Sequence, residues 1–399
     1  MQFAYRAPPS PTYPAPSHAR FRGVAMEDTV ARAHPCGIAP EQTQDQGFAG
    51  GHQPLISRAD ANAIKGIAIL LMFTHHLFAL PTLIRPPSSF EPLLAALPLE
   101  YHVGRLGKIC VAVFIFLSGY GFMQGAAAPD IWQRHLRKAG RFLGTYAFYF
   151  ALAGLLVLTL PSLTPGDERL ASIAGHLSLQ GLFTLGKPLV YEWWFAQTYL
   201  ALILLFPILA RLTKRLPWLI GLALLAFLSG AFLDGRQLNP ALFSFTNLLI
   251  WQLPFAYGMA FARMEMRPLP RGRANLGRLA MGASLVLGAG FLLIETAAPK
   301  VLTPFLIVAC PLALPSLIAC GRTPASRAPL AWLGQHSLPL WLIHPFLCTY
   351  LAQEWIYAGR HSLLILASLL AQTALLAFTL EAARSAFVSH LSRARLLPA

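Results

Sequence analysis

Charge is what this chain has least of. Only 12% of its 399 residues are Asp, Glu, Lys or Arg and 56% are apolar, whereas a soluble domain carries about 25% charged residues. A chain so short of ions cannot cover a water-facing surface, which excludes an ordinary soluble enzyme or binding module. The charge present is one-sided, 31 Lys and Arg against 16 Asp and Glu.

Further absences narrow the classes. Cys36, Cys110, Cys310, Cys320 and Cys348 show no C-x-x-C spacing and read as small apolar packing residues. The adjacent His75 and His76 cannot face one point on a helix, so no metal site is expected. No Walker-type or dinucleotide-binding loop occurs, which removes support for pumping driven by nucleotide hydrolysis. No nucleic-acid motif accompanies the basic excess, which reads instead as topology and attraction to anionic lipid. The apolar runs lack the period-2 alternation of an outer-membrane barrel, and no internal repeat is evident.

What is present is a series of ten apolar runs of spanning length, near 62–80, 109–127, 142–161, 190–210, 217–234, 242–262, 278–296, 301–320, 330–352 and 362–382. The predicted fold is all-α, a polytopic membrane helix bundle of about ten spans. Seventeen Lys and Arg fall in the loops after even-numbered spans and in the C-terminal tail, against eight after odd-numbered spans. Cytoplasmic loops retain positive charge, so both termini are expected in the cytoplasm, with the protein multi-pass in the bacterial inner membrane. Residues 1–57, rich in Pro, Ala, Gly and Gln, lack periodicity and the apolar core of a signal peptide; they read as a disordered cytoplasmic extension, within which Met26 offers an alternative start. The membrane domain is expected over 58–385, with a short basic tail over 386–399.

The first span, NAIKGIAILLMFTHHLFAL, carries ionisable groups where they are expensive. Lys65 and His76 are eleven positions apart. At about 100° and 1.5 Å per residue they leave one helix face separated by roughly 16 Å along the axis. His75 points elsewhere and is expected to bond a neighbouring helix.

Four segments, in order, resemble acyltransferase family 3, the integral-membrane acyltransferases that modify bacterial surface glycans. They are IKGIAILLMFTHHLF with Lys65 and His76, FIFLSGYGF at 114–122, YEWWFAQTYLALILLFP at 191–207 and HSLPLWLIHPF at 336–346, within a match over roughly 60–385. The resemblance implies transfer of an acyl group, commonly acetyl, from cytoplasmic acyl-CoA to a sugar hydroxyl, with no permanently bound cofactor. Lys65 stands where many relatives carry Arg and keeps the charge without the planar fork. No hydrolase-like domain of the kind some relatives append is evident, so the spans themselves are expected to perform the transfer.

Such a reaction needs a base for the hydroxyl proton and cationic or hydrogen-bonding groups for the oxyanion. His76 is the expected base, paired with Lys65, because a neutral imidazole has a nitrogen free to accept a proton. His344 should reach the same depth from the ninth span, where it serves acceptor positioning, oxyanion stabilisation or interhelical bonding, and His344-Pro345 marks a kink. Glu192 and Trp194 are candidates for holding the sugar, Trp193 and Trp194 also suiting an interfacial aromatic belt. Ser118, beside Gly119 and the Gly121/Gly125 spacing, reads first as a site of close helix packing, and second as a candidate acyl carrier or substrate contact. Arg137, Lys138 and Arg141 open the third span and suit the phosphates of acyl-CoA. The expected partners are thus acyl-CoA, a glycan or lipid-linked sugar, and the bilayer. The rival reading is a transporter or flippase for a lipid-linked sugar, with the histidines relaying protons.

Overall fold

The computed structural model describes residues 54–94, 98–159, 190–236, 243–265 and 276–394. The extension expected to be disordered over 1–57 lies outside them except for 54–57, and the tail lies outside them from 395. Every named element among the described residues is helical: α1 (Arg58–Phe78), α2 (Leu99–Gly107), α3 (Ile109–Gln124), α4 (Ile131–Thr159), α5 (Trp194–Leu212), α6 (Leu216–Arg236), α7 (Phe243–Glu265), α8 (Leu276–Ala297), α9 (Leu302–Gly321), α10 (Pro324–Gln335), α11 (Ser337–Pro345), α12 (Gln353–Tyr357) and α13 (Ser362–Ala394), with short 3₁₀ turns between some of them.

Seven helical stretches are long and apolar enough to cross a bilayer, against ten runs read from the sequence. Three local features account for the difference. Tyr191–Leu233 is one stretch of 43 residues, about 64 Å of helix or twice the hydrocarbon thickness. It contains two of the expected runs, joined by a 3₁₀ turn at Thr213–Arg215. Helix α7 carries Thr246, Asn247 and Gln252, which dilute its apolar character. The ninth run is broken: α10 ends at Gln335, α11 spans Ser337–Pro345, and a π-helical turn follows over Phe346–Tyr350. Pro345 lacks the N–H that would continue an α-helical ladder, and the chain rewinds there.

The second span also begins earlier than expected. Leu99–Gln124 is one candidate span of 26 residues, so Arg105 and Lys108, read from the sequence as loop residues, lie within it. Helix α2 gives way to α3 at Lys108, whose backbone N–H bonds to Arg105 O at 3.3 Å. Glu295 of α8 accepts hydrogen bonds from His102 Nδ1 (2.7 Å) and pairs with Arg105 (3.2 Å), fixing α2 against α8.

Helix α1 is held at both ends. Ser57 Oγ accepts from the Asp60 N–H at 3.1 Å while Asp60 Oδ2 accepts from the Ser57 N–H, a reciprocal cap that satisfies first-turn donors. The buried Asp60 carboxylate also accepts from Arg322 at 2.8 Å, and that bond raises the guanidinium pKa above its usual value. At the other end the Tyr357 hydroxyl donates to Leu77 O at 2.6 Å. Burial raises the Tyr357 phenol pKa, so it stays a donor across the physiological range.

Between these anchors, glycines let backbones meet. A Cβ on Gly66 would overlap the Leu330 carbonyl, and one on Gly334 would overlap the Asn62 carbonyl, which sets the α1–α10 contact. Gly107 lies on Leu71 O, with His75 Cβ 3.3 Å from where its own Cβ would stand. The α3–α7 contact uses Gly119 against Phe255 O and Gly258 against Phe116 O. Close packing in the LSGYG segment therefore falls to Gly119 and not to the Gly121/Gly125 pair, whose Cβ positions have no neighbour nearer than 3.8 Å. Gly121 lies 200° around the helix from Gly119, which turns it away from α7.

Replacing Gly334 by Val should lower stability by about 1–3 kcal/mol, the usual result of forcing bulk into a full site. Gly282→Ala, where an added Cβ meets nothing within 4 Å, should be neutral or slightly stabilising. Thermal midpoints of the detergent-purified variants measure the difference; equal midpoints would rule out the close α1–α10 approach.

Candidate functional site

A cavity of about 2520 Å³ runs along α1. Near the start of the helix its wall includes Ser57, Arg58 and Lys65; farther along come Met72, His75 and His76, and then Leu80 and Leu83. Lys65 and His76 both open on it, as the eleven-residue spacing predicts. Because α1 is unbroken between them, they remain about 16 Å apart along its axis.

The His76 ring lies against His344, centroids 4.8 Å apart, so the two histidines do reach the same depth. His344 is fully buried behind His76 and packs on Phe73 at 5.5 Å, outside the cavity wall. Its Nδ1–H donates to Trp341 O at 2.8 Å. In that tautomer Nε2 is an acceptor only, and among the described residues it has no hydrogen-bond partner. An acceptor cannot donate to an oxyanion, so this geometry leaves His344 suited to orienting its neighbour. His75 Nδ1–H donates to Gly104 O of α2 at 2.9 Å, the interhelical bond expected of it, but the ring does not point elsewhere: it lines the cavity beside His76.

Basic residues gather on α4. Lys138 and Arg141 line the cavity, Lys138 Nζ standing 3.8 Å from the centre of the Phe122 ring. Arg137 does not line it; its side chain is 64% exposed and bonds to Asp130 at 3.2 Å. Arg134, absent from the candidates drawn from sequence, does line it. Positions 134, 138 and 141 form an i, i+4, i+7 stripe, so helical spacing is the signal that separates Arg134 from Arg137.

Glu192 and Trp194 sit where α5 begins, and both line the cavity. The buried Glu192 accepts from the Tyr350 hydroxyl at 3.2 Å, linking α5 to the π turn that follows α11. The Trp194 ring lies 5.5 Å from Trp251. Trp193 departs from the expected aromatic belt: it is fully buried, donates from Nε1 to Leu342 O at 3.2 Å and packs on Tyr146. Consecutive helical residues differ by 100°, which sends one indole to the core and the next to the cavity. Ser118 lines the cavity and donates to Phe114 O at 2.8 Å within its own helix. Gly121 and Gly125 line it too, their missing side chains making room.

Lys108 is the residue that loop counting concealed. It lines the same cavity as His75 and His76, at a helix junction pressed onto the Leu71–His75 turn of α1 by Gly107. Among the described residues no three His, Cys, Asp or Glu side chains come together as a metal site would require.

No curated protein and no solved structure gives a significant match to this chain. A family model described as an acyltransferase domain matches residues 58–382, from the first residue of α1 to the far part of α13. The chain, with seven helical stretches long and apolar enough to cross a membrane among its described residues and a cavity along its first helix, belongs to acyltransferase family 3.

Proposed function

We propose that this acyltransferase moves an acyl group, acetyl in the simplest case, from cytoplasmic acyl-CoA to a hydroxyl of a surface polysaccharide or lipid-linked glycan. The observation that carries the reading is a single cavity whose wall holds a cationic stripe on α4, the Lys65–His76 face of α1, and a carboxylate with an indole at the start of α5. The distribution of Lys and Arg supports an inner-membrane orientation with both termini in the cytoplasm. In that orientation Arg134, Lys138 and Arg141 open toward the donor side.

The donor phosphates rest on the α4 stripe, where charge-assisted bonds suit them. The acyl arm runs past Lys65 toward His76, the roughly 16 Å between these residues being distance along the arm. The acceptor sugar lies against Trp194, with Glu192 accepting from its hydroxyls. His76 removes the proton from the attacking hydroxyl as its oxygen bonds to the thioester carbonyl carbon. The carbon–sulfur bond then breaks, and the proton passes to the departing thiolate to give CoA and the ester. His344, packed against the His76 ring, holds its orientation by contact.

His76→Ala should lower transfer of labelled acetyl from acetyl-CoA to extracted envelope glycan by at least about 10²-fold, within the range usual for losing a general base. His75→Ala should keep turnover and lose about 1 kcal/mol of stability with its bond to Gly104. Comparable rates for His76→Ala and wild type would remove His76 from the chemistry.

Lys138→Ala and Arg141→Ala should each raise KM for acetyl-CoA about tenfold or more, since a bond to a charged group is worth about 1.5–3 kcal/mol. Arg137→Ala should leave KM unchanged. Initial-rate kinetics across donor concentrations separate the two; a KM that responds to Arg137 alone would contradict the donor site.

A further inference from the structure

Resting on the acyl-transfer reading, a second question concerns charge at the reacting carbon. Attack on a thioester puts negative charge on the carbonyl oxygen, and catalysis requires a donor or cation about 3 Å from that oxygen. The base must lie equally close to the attacking hydroxyl. Base and oxyanion partner are therefore confined to opposite sides of one small group of atoms, within several ångströms of each other.

Three polar groups near His76 are candidates. Lys65 fails on distance, because the unbroken α1 holds it about 16 Å away along the axis. His344 fails on chemistry, because its only N–H is given to Trp341 O and Nε2 offers a lone pair. Lys108 offers the needed chemistry, and its junction packs beside the turn that carries the histidines. It lines the cavity beside His75 and His76, and the contact of Gly107 with Leu71 O and the His75 Cβ brings the α2–α3 junction alongside the turn that carries the histidines. An amine on a four-carbon stem at that level can reach an oxygen held in front of His76. A lysine at the edge of an apolar span is costly unless it meets polar groups, and His75 and His76 line the same cavity.

We propose that Lys108 is a further catalytic residue, the cation that receives the oxyanion of the acyl group during transfer. It forms no bond of its own in the reaction. It balances the charge that appears when the hydroxyl oxygen adds and disappears when the thiolate leaves.

The experiment uses the full chain in lipid nanodiscs, with labelled acetyl-CoA as donor and envelope glycan extracted from cells lacking this protein as acceptor. Lys108→Met keeps the stem and removes the charge; it should lower kcat by about 10²–10³-fold and leave KM for acetyl-CoA within twofold. Lys108→Arg restores a cation and should regain at least tenfold of the loss. Lys108→Gln carries the same expectation as Met if the Met variant does not elute as wild type. A charge-free variant whose kcat stays within threefold of wild type overturns the assignment, as does a rise in KM with kcat intact. If active wild type is accompanied by such a result, the assignment alone falls. If wild type itself moves no label, the acyl-transfer reading falls with it.

Discussion

The approach of α1 to its neighbours at backbone distance, permitted by Gly66, Gly334 and Gly107, is the contact on which the site depends. In lipid, helices gain little from burying apolar surface against one another, since the solvent is equally apolar; association depends on close packing and on polar bonds between helices. Close packing is what the glycines provide on the α10 and α2 sides of α1. The face left over is the one that carries Lys65 and His76, and it opens on the cavity. A helix clasped on two sides cannot rotate to hide those groups, so their exposure to the cavity follows from backbone contacts made elsewhere on the same helix.

The cavity wall is graded along its length. Along α1 the wall passes from Arg58 and Lys65 to the histidines, with Lys108 joining it beside their turn, and the basic stripe of α4 and Glu192 with its indole neighbour complete it. Such an order suits an elongated donor with its anionic part at one end and its reactive part in the middle. On the proposed reading Lys65 serves the donor arm and His76 the reacting atoms. Separation along α1 forces that division, because one helix cannot present two side chains eleven residues apart to a single reacting atom.

Much of this is legible in the sequence. The all-helical membrane class follows from composition, the Lys65–His76 face from helical periodicity, and the family from four ordered segments. The break at Pro345 is legible as well, since His344-Pro345 reads as a kink; what stays hidden is the other interruptions and the directions of single side chains. Lys108 counts with the loop charges when the apolar run is taken to start at Ile109, whereas LEYHVGRLGK is itself helical and continues into α3. The ninth run, beyond its kink at Pro345, also breaks at His336, where hydropathy gives no sign. Trp193 goes to the interface on composition alone, which cannot tell which of two adjacent indoles faces inward. Hydropathy averages over a window, and each of these outcomes turns on one residue's angle or one missing N–H.

Those interruptions also explain why the site stands where it does. Irregular backbone within an apolar bundle survives only where it is buried in protein or lines a polar space, since lipid cannot satisfy the freed groups. Two breaks flank His76: the α2–α3 junction at Lys108 on one side, and the Pro345–π turn behind His344 on the other. The π turn carries Tyr350, whose hydroxyl bonds Glu192, so the same break that ends α11 also connects the histidine pair to the carboxylate on α5. An uninterrupted α11 would advance its side chains by a fixed 100° per residue and could not place both His344 on His76 and Tyr350 on Glu192 without a different α5 position. The geometry around His76 is thus set chiefly by where two backbones change course, one at the cavity wall and one buried behind it, and side chains drawn from distant segments meet there.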